Sequence, residues 1–198
     1  GQVPLPPYFR GTLDDDERYQ TMFARKVGSA AAPTAALHFT PGIVEALAAR
    51  GVGIADVELE VGLDTFRPME DGLISDHEMH EERYTVPAPT AAAISETKAR
   101  GSRVVAVGTT VVRTLETAAG RDGSVTPGLG STELFITPGF RTSVVDAMVT
   151  NFHAPGTTLI GMIAALIGPA WREVYAHALG SGYRFLSFGD AMFIETDQ

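Results

Sequence analysis

The run RVVAVG at 103–108 most constrains what this 198-residue chain can fold into. Val104, Val105, Ala106 and Val107 place apolar side chains on both faces of an extended segment, the pattern of a strand buried in a sheet. A helical pattern over 90–100 precedes it and stops at Gly101. The turn Gly108-Thr109-Thr110 follows, and a second helical pattern runs over 111–119. A helix–strand–helix unit of this kind implies an α/β domain, with helices packed on a sheet.

The flanking segments extend that reading. Residues 14–26 predict a helix, with Asp14, Asp15, Asp16 and Glu17 at the end where the dipole favours acids and Arg25 and Lys26 in the last turn. Thr40 as N-cap, Pro41 in the first turn and Gly51 beyond the last predict a second helix between them. Residues 54–61 alternate: Val57, Leu59 and Val61 point one way and Glu58 and Glu60 the other, as in a half-buried strand. Residues 62–88 carry no clear period and predict a long loop with at most one short strand. After the Gly-rich stretch GRDGSVTPGLG, residues 133–136 predict a strand, 144–150 a helix, 156–168 an apolar buried helix, 169–179 a further helix, and 185–194 a last strand.

Bulk properties exclude several functions. With 44% apolar and 20% charged residues the chain is globular rather than disordered. It has no cysteine, so disulfides, thiolate zinc sites and a cysteine nucleophile are excluded, and a reducing compartment fits. The apolar run near 158–167 is roughly half a bilayer span, and no transmembrane helix is expected. The net charge of −9 argues against binding polyanions through a general basic field, so any nucleic-acid contact is local or uses parts outside this chain.

Chemistry-bearing residues cluster at the ends of elements. HEMHEERY at 77–84 holds two imidazoles and three carboxylates in its first six residues. His77 and His80 are three apart, not the four of a helical zinc-protease motif, and three readings stay open: metal site, polar surface loop, or substrate-handling site. His77, His80 and Glu81 are the proton-transfer candidates there. GTTVVR joins a buried strand to a helix, where free N–H groups hold anions or carboxylates; Thr109 and Thr110 add hydroxyls, and Arg113 projects one turn on. The alternative is an ordinary helix cap. Asn151 and His153 precede the helix over 156–168. His38 stands in ALHFT, and either histidine is as readily a satisfied structural residue. Asp190 ends YRFLSFGD, where it can enter a ligand crevice or simply make a turn. Arg18, Tyr19 and Gln20 share a helix but point in different directions, so they cannot all serve one ligand.

The order of these segments resembles the S-adenosylmethionine:tRNA ribosyltransferase-isomerase family of queuosine biosynthesis. The matching stretches are PLPPYF at 4–9, DDDERYQTMFA at 14–24, GSAAAPTAALHFT at 28–40, VGLDTFRP at 61–68, HEMHEERY at 77–84, VVAVGTTVVRTLE at 104–116, ELFITPGF at 133–140, VTNFHAPGTTLI at 149–160 and YRFLSFGDAM at 183–192. The resemblance implies that residues 1–198 form the C-terminal portion of a large mixed α/β layered catalytic domain, a sheet with helices on both faces. It also implies that the family's N-terminal segment and inserted β-barrel lie outside this chain.

The resemblance implies an activity as well. The ribosyl part of S-adenosylmethionine is transferred to a 7-aminomethyl-7-deazaguanine in a tRNA anticodon and isomerised, giving epoxyqueuosine with release of adenine and methionine. S-adenosylmethionine is then a co-substrate, with no metal or other cofactor, and the protein is expected to be a cytoplasmic monomer without a membrane. The chemistry needs a base beside the sulfonium and an acid for the departing adenine. His77, His80, Glu81, His153 and Asp190 become the catalytic candidates; Arg18, Tyr19, Gln20, His38, Thr109, Thr110, Arg113 and Asn151 become substrate-binding candidates. Arg113 and the threonine turn are expected to hold a carboxylate. The side chains are expected to converge at the rim of one sheet.

Some positions depart from the family pattern: Glu60 where it has histidine, Leu63 and Asp64 where it has small residues, and Ala36, Ala154, Thr157, Leu186 and Phe188 elsewhere. These leave two further readings, a paralogue that donates the same ribosyl group to a non-tRNA acceptor and a non-catalytic binding protein.

Overall fold

The computed structural model describes residues 5–6, 8–9, 15–25, 28–29, 31–62 and 79–196. His77, Leu63 and Asp64 lie outside the described residues. Six strands and five α-helices make up the described fold, with short 3-10 turns between them. The α/β class holds, but the described strands divide between two three-stranded sheets rather than one.

The first sheet is antiparallel: β1 (Glu58–Glu60), β2 (Glu82–Val86) and β4 (Gly128–Thr132), with β2 central. β2 obeys period two: Glu82, Tyr84 and Val86 are buried, whereas Arg83 is exposed. Opposite Tyr84 lies Gly130, where an added Cβ would stand 2.6–2.9 Å from the tyrosine ring. Only glycine admits that ring.

The second sheet orders β3 (Val105–Val107), β5 (Ala147–Asn151) and β6 (Ala191–Glu195); β3 and β5 are parallel, and β6 is antiparallel to β5. The expected buried strand is real but one-sided: Ala106 is 1% exposed and Val105 is 42% exposed. The side chain of Asp146 ties the two parallel strands, accepting from the Val104 N–H (2.7 Å) and from Lys98 (2.8 Å). Glu116 accepts from the successive N–H groups of Ser143, Val144 and Val145 at 2.7–3.1 Å and so fixes the entry to β5.

Helices α1 (Pro41–Ala49), α2 (Ala88–Ala99), α3 (Thr109–Ala118), α4 (Thr158–Ile167) and α5 (Trp171–Gly180) match expected segments to within a few residues. The Thr40 hydroxyl accepts from the Ile43 N–H, and Gly51 has φ +74°, as the stop signal requires. α3 buries Val112, Thr114, Leu115 and Ala118 in the core, together with Arg113. Each fully buried aliphatic there contributes about 1.5–3 kcal/mol.

Three expectations are corrected. Residues 144–150 are not helical: Ala147–Asn151 is the central strand of the second sheet, apolar because both faces are covered. Residues 133–136 form no strand; the strand is Gly128–Thr132, held by pairing with β2 despite its glycines. Within 14–26 the described residues contain only a 3-10 turn, Asp16–Tyr19.

Thr158–Gly180 is by length and composition apolar enough to cross a membrane. It is divided by a 3-10 turn at Gly168–Ala170, and α4 buries Met162, Ile163 and Leu166 in the core.

Candidate functional site

The parallel strands β3 and β5 end side by side, and the chain leaves each of them into one cleft. β3 exits through Gly108, whose φ of +99° is open to glycine and strained for other residues. That turn starts α3 at Thr109, and among the described residues no side chain caps the start of the helix. β5 exits through Asn151 to His153. The loop before β6 contributes Leu186 and Ser187. The resulting cleft is open to solvent, holds a cavity of about 90 Å³ and is lined by Gly108, Thr109, Thr110, Asn151 and His153, with Tyr8, Thr34, Leu186 and Ser187 completing its polar and apolar walls. Ligands of α/β proteins bind at such carboxyl ends of parallel strands.

The Asn151 side is neutral. Asn151 is 3% exposed; its Oδ1 accepts from the Thr34 hydroxyl (3.3 Å) and its Nδ2 donates to His38 Nε2 (2.8 Å). Burial lowers the His38 pKa, against the opposing pull of Asp190 and with the push of Arg184. His153 shares a hydrogen bond between Nε2 and the Thr150 hydroxyl (3.0 Å), and its backbone N–H donates to the Tyr175 hydroxyl (3.1 Å). Phe152 packs on Tyr175 and Phe185 with centroids 5.5 and 5.0 Å away, which fixes this exit from β5. Burial pushes the His153 imidazole down to about 4, so it is uncharged at neutral pH.

The α3 side is charged. Arg113 is 3% exposed and Glu82 1%. Arg113 Nη1 donates to Glu82 Oε2 (2.5 Å), Nε to the Leu134 carbonyl (2.9 Å), and Nη2 to the carbonyls of His80 and Thr132 (both 3.2 Å). The guanidinium expected to grip a ligand carboxylate is therefore engaged inside the protein. Burial lowers its pKa and the Glu82 charge opposes that. The other oxygen of Glu82, Oε1, meets His80 Nε2 at 3.2 Å and the Thr110 hydroxyl at 3.5 Å, the outer limit of a hydrogen bond. His80, Thr109, Thr110 and Arg113 line a smaller cavity of about 10 Å³. Thr109, Thr110 and Leu159 line both cavities, so the two adjoin across the start of α3.

The remaining candidates scatter. Asp190 lines neither cavity; it accepts from the Arg184 backbone N–H (2.7 Å) and side chain (3.0 Å), and that hydrogen bonding holds its carboxyl below the usual range. Its negative charge acts on His38, raising that imidazole's pKa against the effect of burial. Glu81 is exposed beside β2. Arg18 and Gln20 are exposed, while Tyr19 is buried against Phe188 with centroids 5.7 Å apart. Among the described residues no group of three or more His, Cys, Asp or Glu side chains gathers as a metal site.

Sequence reasoning missed Tyr8, Thr34, Leu186 and Ser187, which line the cleft, and Glu82, which sits behind it. Glu82 had a legible signal: it lies two residues from His80 and from Tyr84, on one face of an extended strand.

An open cleft at parallel strand ends, walled by a helix N-terminus and the neutral His153 imidazole, has the geometry of a small-ligand site in an α/β protein. The family described as queuosine biosynthesis protein matches over residues 1–194, and the chain belongs to it. Proteins named S-adenosylmethionine:tRNA ribosyltransferase-isomerase from Natranaerobius thermophilus and Thiobacillus denitrificans are each 54% identical, over 196 and 198 residues. In both cases the match covers 98% of this chain, and the chain spans 57% of the relative's length. The fold superposes with a TM-score of 0.68 on the crystal structure of S-adenosylmethionine tRNA ribosyltransferase from Thermotoga maritima, at 46% identity, covering 81% of this chain and 51% of that one.

Proposed function

We propose that the full-length protein transfers and isomerises the ribosyl group of S-adenosylmethionine onto the 7-aminomethyl-7-deazaguanine of a tRNA, giving epoxyqueuosine and releasing adenine and methionine. Residues 1–198 then supply the C-terminal portion of its large catalytic domain. It acts as a cytoplasmic monomer, with S-adenosylmethionine as co-substrate and no added cofactor. The observation that carries this reading is the convergence of Thr109, Thr110, Asn151 and His153 on one cleft at the ends of β3 and β5, in a chain 54% identical to relatives bearing that name.

The cleft's chemistry supports the reading. The uncapped N–H groups at the start of α3 suit the carboxylate of the methionine moiety, a role that Arg113, engaged by Glu82, leaves to them. His153, held neutral, and Asn151 offer polar contacts to the ribose or adenine. His80 takes the proton beside the sulfonium, across the shared wall at Thr110.

The test is chromatographic detection of adenine released from S-adenosylmethionine by the full-length protein, with and without precursor tRNA. Release that requires tRNA is expected, and the His80→Ala variant should release none. Release independent of tRNA would replace the acceptor with a small molecule. Ligand binding without any adenine would overturn the enzymatic reading.

A further inference from the structure

We infer that Glu82 is a positioning residue that fixes His80 with Nε2 protonated and Nδ1 as the basic nitrogen. The inference rests on the proposed proton-transfer role of His80 and adds a group that role does not supply. Four observations carry it. Glu82 is buried on the inward face of β2, so water does not compete for its oxygens. Its Oε2 is taken by Arg113, which holds the carboxylate ionised. Its Oε1 stands 3.2 Å from His80 Nε2, and a carboxylate can only accept there, so Nε2 must carry the proton. Arg113 Nη2 also donates to the His80 carbonyl. The same ion pair thus grips the histidine at backbone and ring, the kind of support that keeps a reacting side chain in one geometry.

Among the described residues the charged groups facing His80 are Glu82 from β2 and Arg113 from α3. Removing the carboxylate takes away the acceptor that holds the Nε2 proton and leaves the ring free to turn or change tautomer.

The experiment has two arms on the full-length protein. Nitrogen-15 NMR of the imidazoles, with His80 assigned by its loss in the His80→Gln variant, reads the tautomer of the unaltered protein. Nε2–H is expected, and a dominant Nδ1–H form overturns the inference. This arm needs no Glu82 variant to fold. In the second arm, adenine release is followed for Glu82→Gln and Glu82→Asp. The glutamine variant should lower kcat about 10- to 100-fold with little change in KM for S-adenosylmethionine. Aspartate, which keeps the carboxylate, should recover part of the lost kcat. An unchanged kcat in a folded Glu82→Gln protein, or a loss carried by KM instead, overturns the inference. Absence of adenine release from the unaltered protein defeats the enzymatic reading instead, while the tautomer still decides what Glu82 does.

Discussion

The two walls of the cleft handle buried ionisable groups in opposite ways. On the α3 side Arg113 and Glu82 are both almost fully buried, and each supplies the counter-charge the other requires. On the β5 side His153 is also buried, but among the described residues its ring bonds to the Thr150 hydroxyl and to no carboxylate, and it gives up its charge. A buried charge survives with a partner and is surrendered without one. The protein so obtains a rigid, charged support beside a neutral, polar wall, and the ligand-facing surface carries little fixed charge of its own.

Breaking the charged wall should have the largest effect. Arg113→Met removes the guanidinium that pairs with buried Glu82 and that donates to the carbonyls of His80, Thr132 and Leu134; a loss of about 3–5 kcal/mol is expected from urea unfolding. Replacing both partners, with Glu82→Gln added, should recover a large part of it. A single variant within 1 kcal/mol of the unaltered protein would contradict the pairing argument.

The neutral wall predicts an effect of intermediate size with a definite sign. The folded pKa of His153, about 4, lies below its ordinary value of 6.5, so the folded chain binds fewer protons than the unfolded one between those pH values. This contribution leaves stability intact above about pH 6.5 and removes roughly 3 kcal/mol as the pH falls to about 4. Unfolding measured across that window should show a shallower decline in His153→Gln than in the unaltered protein. Identical pH slopes would mean that His153 is not held neutral.

The smallest expected effect sharpens the contrast at one atom. Asn151 Nδ2 donates to His38 Nε2, which favours the uncharged ring. Asn151→Asp places an acceptor and a negative charge there, so the His38 pKa should rise in an NMR titration. A fall would show that burial alone sets it.

These walls differ in how far they could be read from the residues. The β3–Gly108–α3 wall was legible because a short apolar run, a glycine and a helical pattern follow one another locally. The α1 boundaries were legible for the same reason, through Thr40, Pro41 and Gly51. β5 was misread as helix because a short apolar run that is covered on both faces carries no period. β4 was missed because its glycines speak against a strand, and only the Tyr84 ring lying across Gly130 explains them. The pairing of Arg113 with Glu82 spans 31 residues, so no local pattern could reveal it. Asp190 could be read either as a crevice acid or as a turn residue, and its carboxylate closes a turn on Arg184.

The central claim is that the ends of β3 and β5 form the S-adenosylmethionine site. Titrating the full-length protein with S-adenosylmethionine while following backbone amide NMR signals tests it most directly. The largest shifts are expected at Gly108, Thr109 and Thr110, with Asn151, His153 and Ser187 close behind. Saturable shifts confined to residues outside both cavities, with these six unmoved, would contradict it.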